Sequence, residues 1–83
     1  MNEVWNVLTY RDYDFQDNNG RNVRGRIMHC YRPTQDPDWH GCEYAKMSVP
    51  YDSEAYRMAP VTGAAYQLSF DRRGKVVSMT AVD

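Results

Sequence analysis

The sequence predicts an all-β domain with one short helix. Of its 83 residues, 42% are apolar and 13% are aromatic, which suits a single small core built from strands. Two Gly-containing stretches, Asn18-Asn19-Gly20 and Asp71-Arg72-Arg73-Gly74, mark tight hairpin turns, because Asn and Gly tolerate the positive φ that such turns need. Tyr66 to Phe70 alternates apolar and polar residues, as a strand with one buried face does. We therefore expect one domain over residues 1–83.

The first strand is expected over residues 3–17, a stretch rich in aromatic and β-branched side chains. Its apolar residues change phase, because Trp5 and Val7 lie at odd positions whereas Tyr10 lies at an even one. A bulge or bend near residues 8–11 would bring both sets to one face. A long, curved first strand suits a small barrel, in which one strand contributes to two sheets.

Two further strands, residues 21–31 and 43–49, are expected to pair as a hairpin across a polar loop. Placing Ala45 opposite Ile27 turns the apolar side of each strand inward. Gly25 predicts a bend or a close approach of another group to the backbone. The residues predicted to face the core are Val23, Ile27, Tyr31, Ala45, Met47 and Val49. The residues predicted to lie on the outer face of this hairpin are Arg24, Arg26, Tyr44 and Lys46.

A short helix and a second hairpin are expected to follow. Pro50 ends the third strand, and residues 51–58 form the helix with Asp52 or Ser53 as its N-cap. Residues 75–82 form the last strand. The inward residues of the fourth strand are Tyr66, Leu68 and Phe70. Three strands, a helix and two strands is the element order of the OB-fold, so we expect an OB-like, five-stranded Greek-key barrel.

Three stretches carry a resemblance to a known family: Tyr10-Arg11-Asp12-Tyr13-Asp14-Phe15, Asn18-Asn19-Gly20 and Phe70-Asp71-Arg72-Arg73-Gly74-Lys75-Val76. With the element order, they resemble the small single-stranded DNA-binding proteins of phages and conjugative elements. The resemblance implies an OB-fold, often dimeric, that coats single strands without reading their sequence. It also implies an accessory role in DNA replication or transfer.

The outer face of the predicted hairpin is a candidate nucleic-acid site, because single-strand binders combine cations along the phosphates with aromatic rings under the bases. The loop 32–42 adds Trp39, either as a cap over the core or as a ligand contact. The residues predicted to bind single-stranded DNA or RNA are Arg24, Arg26, Tyr31, Trp39, Tyr44, Lys46, Arg72, Arg73 and Lys75. An ordinary solvated face explains the same pattern, and so does a protein–protein interaction module anchored by Tyr, Trp and Arg.

Two His and two Cys in one short stretch raise the question of a zinc site. His29 and Cys30 are neighbours on a strand and point to opposite faces, which argues against one tetrahedral set of ligands. No metal or other cofactor is expected. The predicted register places Cys30 opposite Cys42 and is compatible with a disulfide between them, although a cytosolic redox state favours free thiols.

Asp12, Asp14 and Asp17 raise a second metal hypothesis, because carboxylates at alternating strand positions suit a divalent cation. A solvated strand end is the favoured explanation. The sequence contains no Ser-His-Asp set, nucleophile elbow or phosphate-binding loop. We therefore expect a protein that is not an enzyme.

Charge and hydropathy constrain the partners. The net charge is −1, so attraction to nucleic acid has to come from local patches. There is no signal peptide and no apolar stretch approaching the roughly 20 residues of a membrane span, so we expect a cytoplasmic protein with no membrane partner. The apolar last strand is expected to leave a free edge, and through it the chain is expected to form a homodimer.

Overall fold

The computed structural model describes residues 2–82, and most of these residues belong to β-strands. The elements are β1 (Asn2–Gln16), β2 (Asn22–Pro33), β3 (Cys42–Pro50), a 3-10 helix (Ala55–Arg57), β4 (Ala65–Phe70) and β5 (Val76–Ala81). Neighbouring strands run antiparallel in one sheet of order β3-β2-β1-β4-β5. The predicted all-β class with five strands and little helix is confirmed.

β1 is the centre of the sheet because it pairs along both of its edges. Residues 2–6 pair with β4, and the longer remainder of the strand pairs with β2. The β1–β2 register shifts between Val7 and Thr9, so the predicted bulge is confirmed. The bulge brings Trp5 and Val7, which precede it, and Tyr10, which follows it, into contact with one core. One strand therefore serves both halves of the sheet.

The core lies on the inner side of this sheet. Tyr66 and Leu68 of β4 are buried as predicted, Phe70 is half-buried, and the 3-10 helix contributes Ala55. Burial of apolar side chains is the main favourable term in folding, at roughly 25 cal/mol per Å². The largest fully buried side chains are Met28, Leu68, Val7, Val49, Val76 and Cys30.

The inner face predicted for β2 is wrong. β2 turns Arg26 and Met28 inward, whereas Ile27 lies on the outer side. Met28 pairs with Met47, and Ile27 pairs with Ser48, three residues away from the predicted pairing. A register difference of an odd number of residues exchanges the two faces of β2 relative to β3. The residues wrongly predicted to face the core are Val23, Ile27 and Tyr31, each half-buried on the outer side.

The helix is shorter than the predicted span of residues 51–58, since it covers only Ala55–Arg57. Its N-cap is Glu54 rather than Asp52 or Ser53, although the Ser53 hydroxyl accepts a hydrogen bond from the N–H of the helix's second residue. The backbone returns to extended geometry directly after the third residue, so the helix ends after one turn. Within residues 2–82 no helix has the length and hydropathy needed to cross a bilayer.

The two edge strands approach each other without pairing. β3 and β5 end the strand order, and Cα atoms of the two strands come within 8 Å. They run parallel, because four antiparallel pairings separate them. No ladder joins them in the described part of the chain, so the sheet is not closed into the predicted barrel.

The β1–β2 and β4–β5 turns have the same construction. Each opens with an Asp, Asp17 or Asp71, and contains a Gly with positive φ, Gly20 (77°) or Gly74 (78°). In both turns the Asp N–H donates to the carbonyl of the residue after the Gly at 2.9 Å. Each Asp carboxylate also accepts two backbone N–H groups of its own turn at 2.9 Å. The predicted hairpin turns are therefore confirmed, and the two Asp side chains stabilise them.

Gly25 allows the ring of Tyr13 to lie directly against the backbone of β2. The two residues are cross-strand partners. A Cβ atom at Gly25 would lie 2.8 Å from Tyr13 Cζ and 3.2 Å from the carbonyl oxygen of Val49. Real Cβ atoms essentially never come within 3.0 Å of another atom, so the contact with Tyr13 confirms the predicted close approach to Gly25.

Gly25→Ala is expected to lower the free energy of unfolding by about 1–3 kcal/mol, because the new methyl group overlaps the Tyr13 ring. Tyr13→Ala removes the obstacle, so in that background Gly25→Ala should cost less than about 1 kcal/mol. Urea unfolding of the four proteins in this double-mutant cycle measures both steps. Equal losses in the two backgrounds would contradict the contact with Tyr13 as the cause.

Candidate nucleic-acid interface

The outer side of β1, β2 and β3 forms a continuous face. Cross-strand pairing places Arg11 beside Ile27, and His29 beside Lys46. Paired residues of an antiparallel sheet share a side, so the register defines which residues belong to this face. We call it the outer face, and its aromatic, basic and larger apolar members include Arg11, Tyr13, Phe15, Ile27, His29, Tyr31, Tyr44 and Lys46.

Aromatic rings lie towards both ends of the outer face. At one end the ring centroids of Tyr13 and Phe15 are 6.0 Å apart. Towards the other end the centroids of His29 and Tyr44 are 5.6 Å apart, and the Tyr44 hydroxyl is hydrogen-bonded to His29 Nδ1. Phe15 is 53% exposed and Tyr44 is 58% exposed. These rings therefore offer apolar surface to a flat partner from solution.

Two cations lie between the aromatic ends. Arg11 and Lys46 are exposed and line a shallow depression of about 340 Å³, together with Ile27 and His29. Within residues 2–82 neither cation forms an ion pair. None of the outer-face positions in these strands holds an Asp or Glu. The outer face therefore presents positive charge that no neighbouring carboxylate balances.

The carboxylates of β1 and β3 lie on the inner side instead, where they pair with arginines. Arg24 Nε lies 3.2 Å from Asp14. Arg32 bridges Glu3, at 3.0 Å, and Glu43. In each pair the arginine of β2 neutralises a carboxylate of β1 or β3. The acidic side chains of these strands therefore all lie on the inner side of the sheet, together with their arginine partners.

Arg26 lies in the core, and its predicted place on the outer face is wrong. The side chain is only 4% exposed. Its guanidinium donates to both carboxylate oxygens of Asp12, at 2.6 and 3.3 Å, and to the carbonyl oxygen of Met58. The rings of Tyr10 and Tyr56 have their centroids 5.1 and 4.8 Å from Arg26 Cζ. A guanidinium with these partners is satisfied inside the protein and is not free to bind a phosphate.

Arg24 is also absent from the outer face, contrary to the prediction. It pairs with Asp14 across the β1–β2 ladder, on the same side as Arg26. Its Nη1 donates to the Tyr51 hydroxyl at 3.3 Å, and its Cζ lies 5.2 Å from the Tyr51 ring centroid. The hydrogen bonds to Tyr51 and Asp14 raise the pKa of Arg24 above its ordinary value. Its charge is therefore already balanced by Asp14.

Asp12 and Asp14 are exposed near the end of β1, as expected for a solvated strand end, and they pair with Arg26 and Arg24. Asp17, which follows β1, stabilises the first turn. Among the residues that the structure describes, no group of three or more His, Cys, Asp or Glu side chains is placed to hold a metal ion.

The other predicted binding residues lie in three places. Trp39 is 70% exposed in the β2–β3 loop, so it does not cover the core. The β4–β5 turn is held by Asp71, whose pKa is lowered by hydrogen bonds from the backbone of Lys75 and Arg73. The predicted residues that lie on the outer face are Tyr31, Tyr44 and Lys46. Those that lie in the β4–β5 turn are Arg72, Arg73 and Lys75.

Sequence reasoning missed the part of the outer face that β1 contributes. The signal was present in the first turn, because a hairpin closed by Asp17 and Arg21 places Arg11 opposite Ile27. The members that β1 contributes are Arg11, Tyr13 and Phe15, and the exchanged face of β2 adds Ile27 and His29.

The two cysteines are both free and have different environments. Cys30 is fully buried, and burial raises the pKa of its thiol to about 11. Cys42 is exposed and pairs with Pro33. The predicted register, which placed Cys42 opposite Cys30 and allowed a disulfide, is therefore wrong.

Arg26→Ala is expected to lower the free energy of unfolding by about 1–3 kcal/mol, because the Met58 carbonyl and the partly exposed Asp12 lose the guanidinium that donates to them. Arg11→Ala, on the exposed side of the neighbouring strand, is the matched control and should change it by less than about 0.5 kcal/mol. Urea unfolding measures both variants. A loss for Arg26→Ala as small as that of the control would refute its burial.

An alkylating reagent is expected to label Cys42 and spare Cys30 in the native protein near neutral pH. The thiolate is the reactive form, and Cys30 is both buried and shifted towards the thiol. Mass spectrometry counts the labels, with Cys42→Ser as the control that leaves one thiol. The control protein should take up label only after denaturation; rapid native labelling of Cys30 would contradict its burial.

The geometry of the outer face is the main guide to function. No protein-family model matches the chain, and no curated protein and no solved structure gives a match. The outer face combines exposed aromatic rings, two unpaired cations among the described residues, and no carboxylate.

Proposed function

We propose that this protein binds single-stranded nucleic acid through the outer face, with DNA as the main ligand. The separation of charge supports the proposal most directly. Arg11 and Lys46 lie among aromatic rings, and every carboxylate of β1, β2 and β3 is on the opposite side of the sheet. A face of this kind attracts a polyanion even though the whole chain has a net charge of −1.

Base stacking supplies the first part of the proposed mechanism. Every base has a flat π-face, so exposed aromatic side chains accept bases of any sequence. Tyr44 and Phe15 are each more than half exposed, at opposite ends of the outer face. Tyr44 is held in place by its bond to His29, and Phe15 by its contact with Tyr13. Rings that are already positioned lose little conformational freedom on binding.

Phosphate neutralisation supplies the second part. Arg11 and Lys46 lie on β1 and β3, on either side of Ile27 and His29 in β2. A nucleic-acid strand that crosses the sheet between the two aromatic ends of the outer face passes both cations. Each neutralised phosphate releases counterions, which favours binding at low salt. The mechanism needs no catalytic group.

The strand order supports an OB-like form of this proposal. In OB-folds the second and third strands and the loops after the first and fourth strands contact oligonucleotides. Here β2 and β3 form much of the outer face, and the turns after β1 and β4 carry the cations Arg21, Arg72, Arg73 and Lys75. Because β3 and β5 are parallel and close, we infer an open form of the five-stranded Greek-key barrel.

The proposed role is that of a non-catalytic coat or accessory factor in DNA replication or transfer, acting in the cytoplasm. The resemblance of the Tyr10–Phe15 stretch and the two turns to phage and conjugative-element proteins supports this role. A homodimer is part of the same proposal, and β3 and β5 are the strands with free edges to form it.

Arg11→Ala and Lys46→Ala are each expected to weaken oligo-dT binding and to reduce the salt slope by roughly 0.7 per lost phosphate contact. Tyr44→Ala should weaken binding by about 1–3 kcal/mol with nearly the same salt slope, because it removes a stacked ring. Tyr44→Phe retains the ring and should bind almost as well as the wild type. Fluorescence anisotropy of labelled oligo-dT across salt concentrations measures all four variants.

Arg57→Ala is the matched control for charge, since Arg57 is exposed in the 3-10 helix and lies outside the outer face. It should leave both affinity and salt slope close to wild type. If the wild-type protein shows no affinity for single strands at low salt, the proposal fails. Capture of a protein partner with weak salt dependence would favour the interaction-module alternative.

A further inference from the structure

A cavity of about 590 Å³ lies between β3 and the β4–β5 turn, where the sheet is not closed. Its volume is within the range of sites for small organic ligands. Its lining includes apolar, cationic and acidic side chains, which are Ala45, Met47, Phe70, Lys46, Arg72 and Asp71. We call it the seam cavity.

The apolar wall of the seam cavity is part of, or packs against, the core. Met47 is 7% exposed and belongs to the core, and Ala45 and Phe70 are half-buried against that core. A thioether and an aromatic ring both make favourable contacts with a flat aromatic group. This surface therefore fits the ring of a nucleobase.

Two carboxylates and two cations line the charged part of the seam cavity, and the carboxylates are already hydrogen-bonded within the protein. Glu3 Oε1 accepts hydrogen bonds from Trp5 Nε1 and from Arg32, each at 3.0 Å. Asp71 Oδ1 accepts two backbone N–H groups of its own turn. Lys46 and Arg72, in contrast, form no ion pair within residues 2–82. The free charge at the mouth of the cavity is positive.

The seam cavity and the depression beside Arg11 lie on the two sides of β3, and Lys46 contributes to the lining of both. A single strand lying on the outer face can therefore pass over the edge of β3 and reach the cavity without leaving the cations. The apolar wall then faces a base, and Arg72 lies on the far side of the opening.

We propose that the seam cavity takes one unstacked nucleotide of the bound strand. The base lies against Met47 and Phe70, and its phosphate lies between Lys46 and Arg72. This inference rests on the proposed binding of single strands and adds a defined subsite to it. The cavity would give the protein one position at which a base lies against the apolar wall of the seam rather than on the outer face.

The first test compares Arg72 of the β4–β5 turn with Arg57 of the 3-10 helix. Arg72 lines the seam cavity, whereas Arg57 lies outside both the cavity and the outer face, and both side chains are exposed and carry the same charge. Arg72→Ala should weaken binding of a labelled dT decamer by about tenfold at low salt, and Arg57→Ala by no more than about twofold. Circular dichroism of each variant checks that the turn and the sheet are unchanged.

The second test detects the base itself. With methionine ε-methyl groups labelled with ¹³C, the Met47 signal should shift upfield on addition of the decamer, because a base ring lies against it. Met28 is completely buried on the same face and is the internal control, which should not shift. An electrostatic role of the turn alone would not move the Met47 signal.

The outcomes separate this inference from the proposed function. If the wild type binds the decamer, but the two arginine variants behave alike and Met47 does not shift, the subsite is refuted and the outer face stands. If the wild type does not bind the decamer, both fail. A Met47 shift that follows protein concentration without DNA would assign the cavity to a second copy of the chain and overturn the inference.

Discussion

The buried guanidinium of Arg26 is the interaction on which the two sides of the sheet depend. It joins Asp12 of β1 to the Met58 carbonyl at the end of the 3-10 helix, between the rings of Tyr10 and Tyr56. A charge inside a protein is tolerated only when its partners satisfy it, so this arrangement fixes the inner side of β2. Because strand side chains alternate, Ile27 and His29 must then face outward.

The same constraint explains how a chain with a net charge of −1 has a cationic face. The inner side accommodates both signs of charge, as Asp14 with Arg24 and Glu3 with Arg32 show. The carboxylates that would oppose a polyanion are therefore turned away from it. The outer face needs only a few cations to become attractive, since no neighbouring carboxylate on that face reduces their effect.

Features set by local chemistry were predictable from the sequence, and those set by register were not. The two turns, the bulge in β1 and the five strands follow from Asn, Asp and Gly positions and from a change of phase. The face that β2 turns to the core was not predictable in this way. Charged residues such as Arg26 are usually exposed, and the apolar residues Val23, Ile27 and Tyr31 at alternating positions form the pattern of a buried face. The first turn held the missing information, since it pairs Asp12 with Arg26 and Asp14 with Arg24. The seam cavity depends on how two distant edges approach, which no local pattern encodes.

In the two turns that run from Asp to Gly, the residues that set the backbone shape differ from the residues that set the surface charge. Asp17 and Asp71 hold their backbones through carboxylate bonds, so the two residues between each Asp and Gly have no part in closing the turn through their side chains. One turn has Asn18-Asn19 at these positions, and the other has Arg72-Arg73. Selection or engineering can therefore exchange one dipeptide for another and change the charge of either turn while the Asp and Gly residues keep the register of the hairpin.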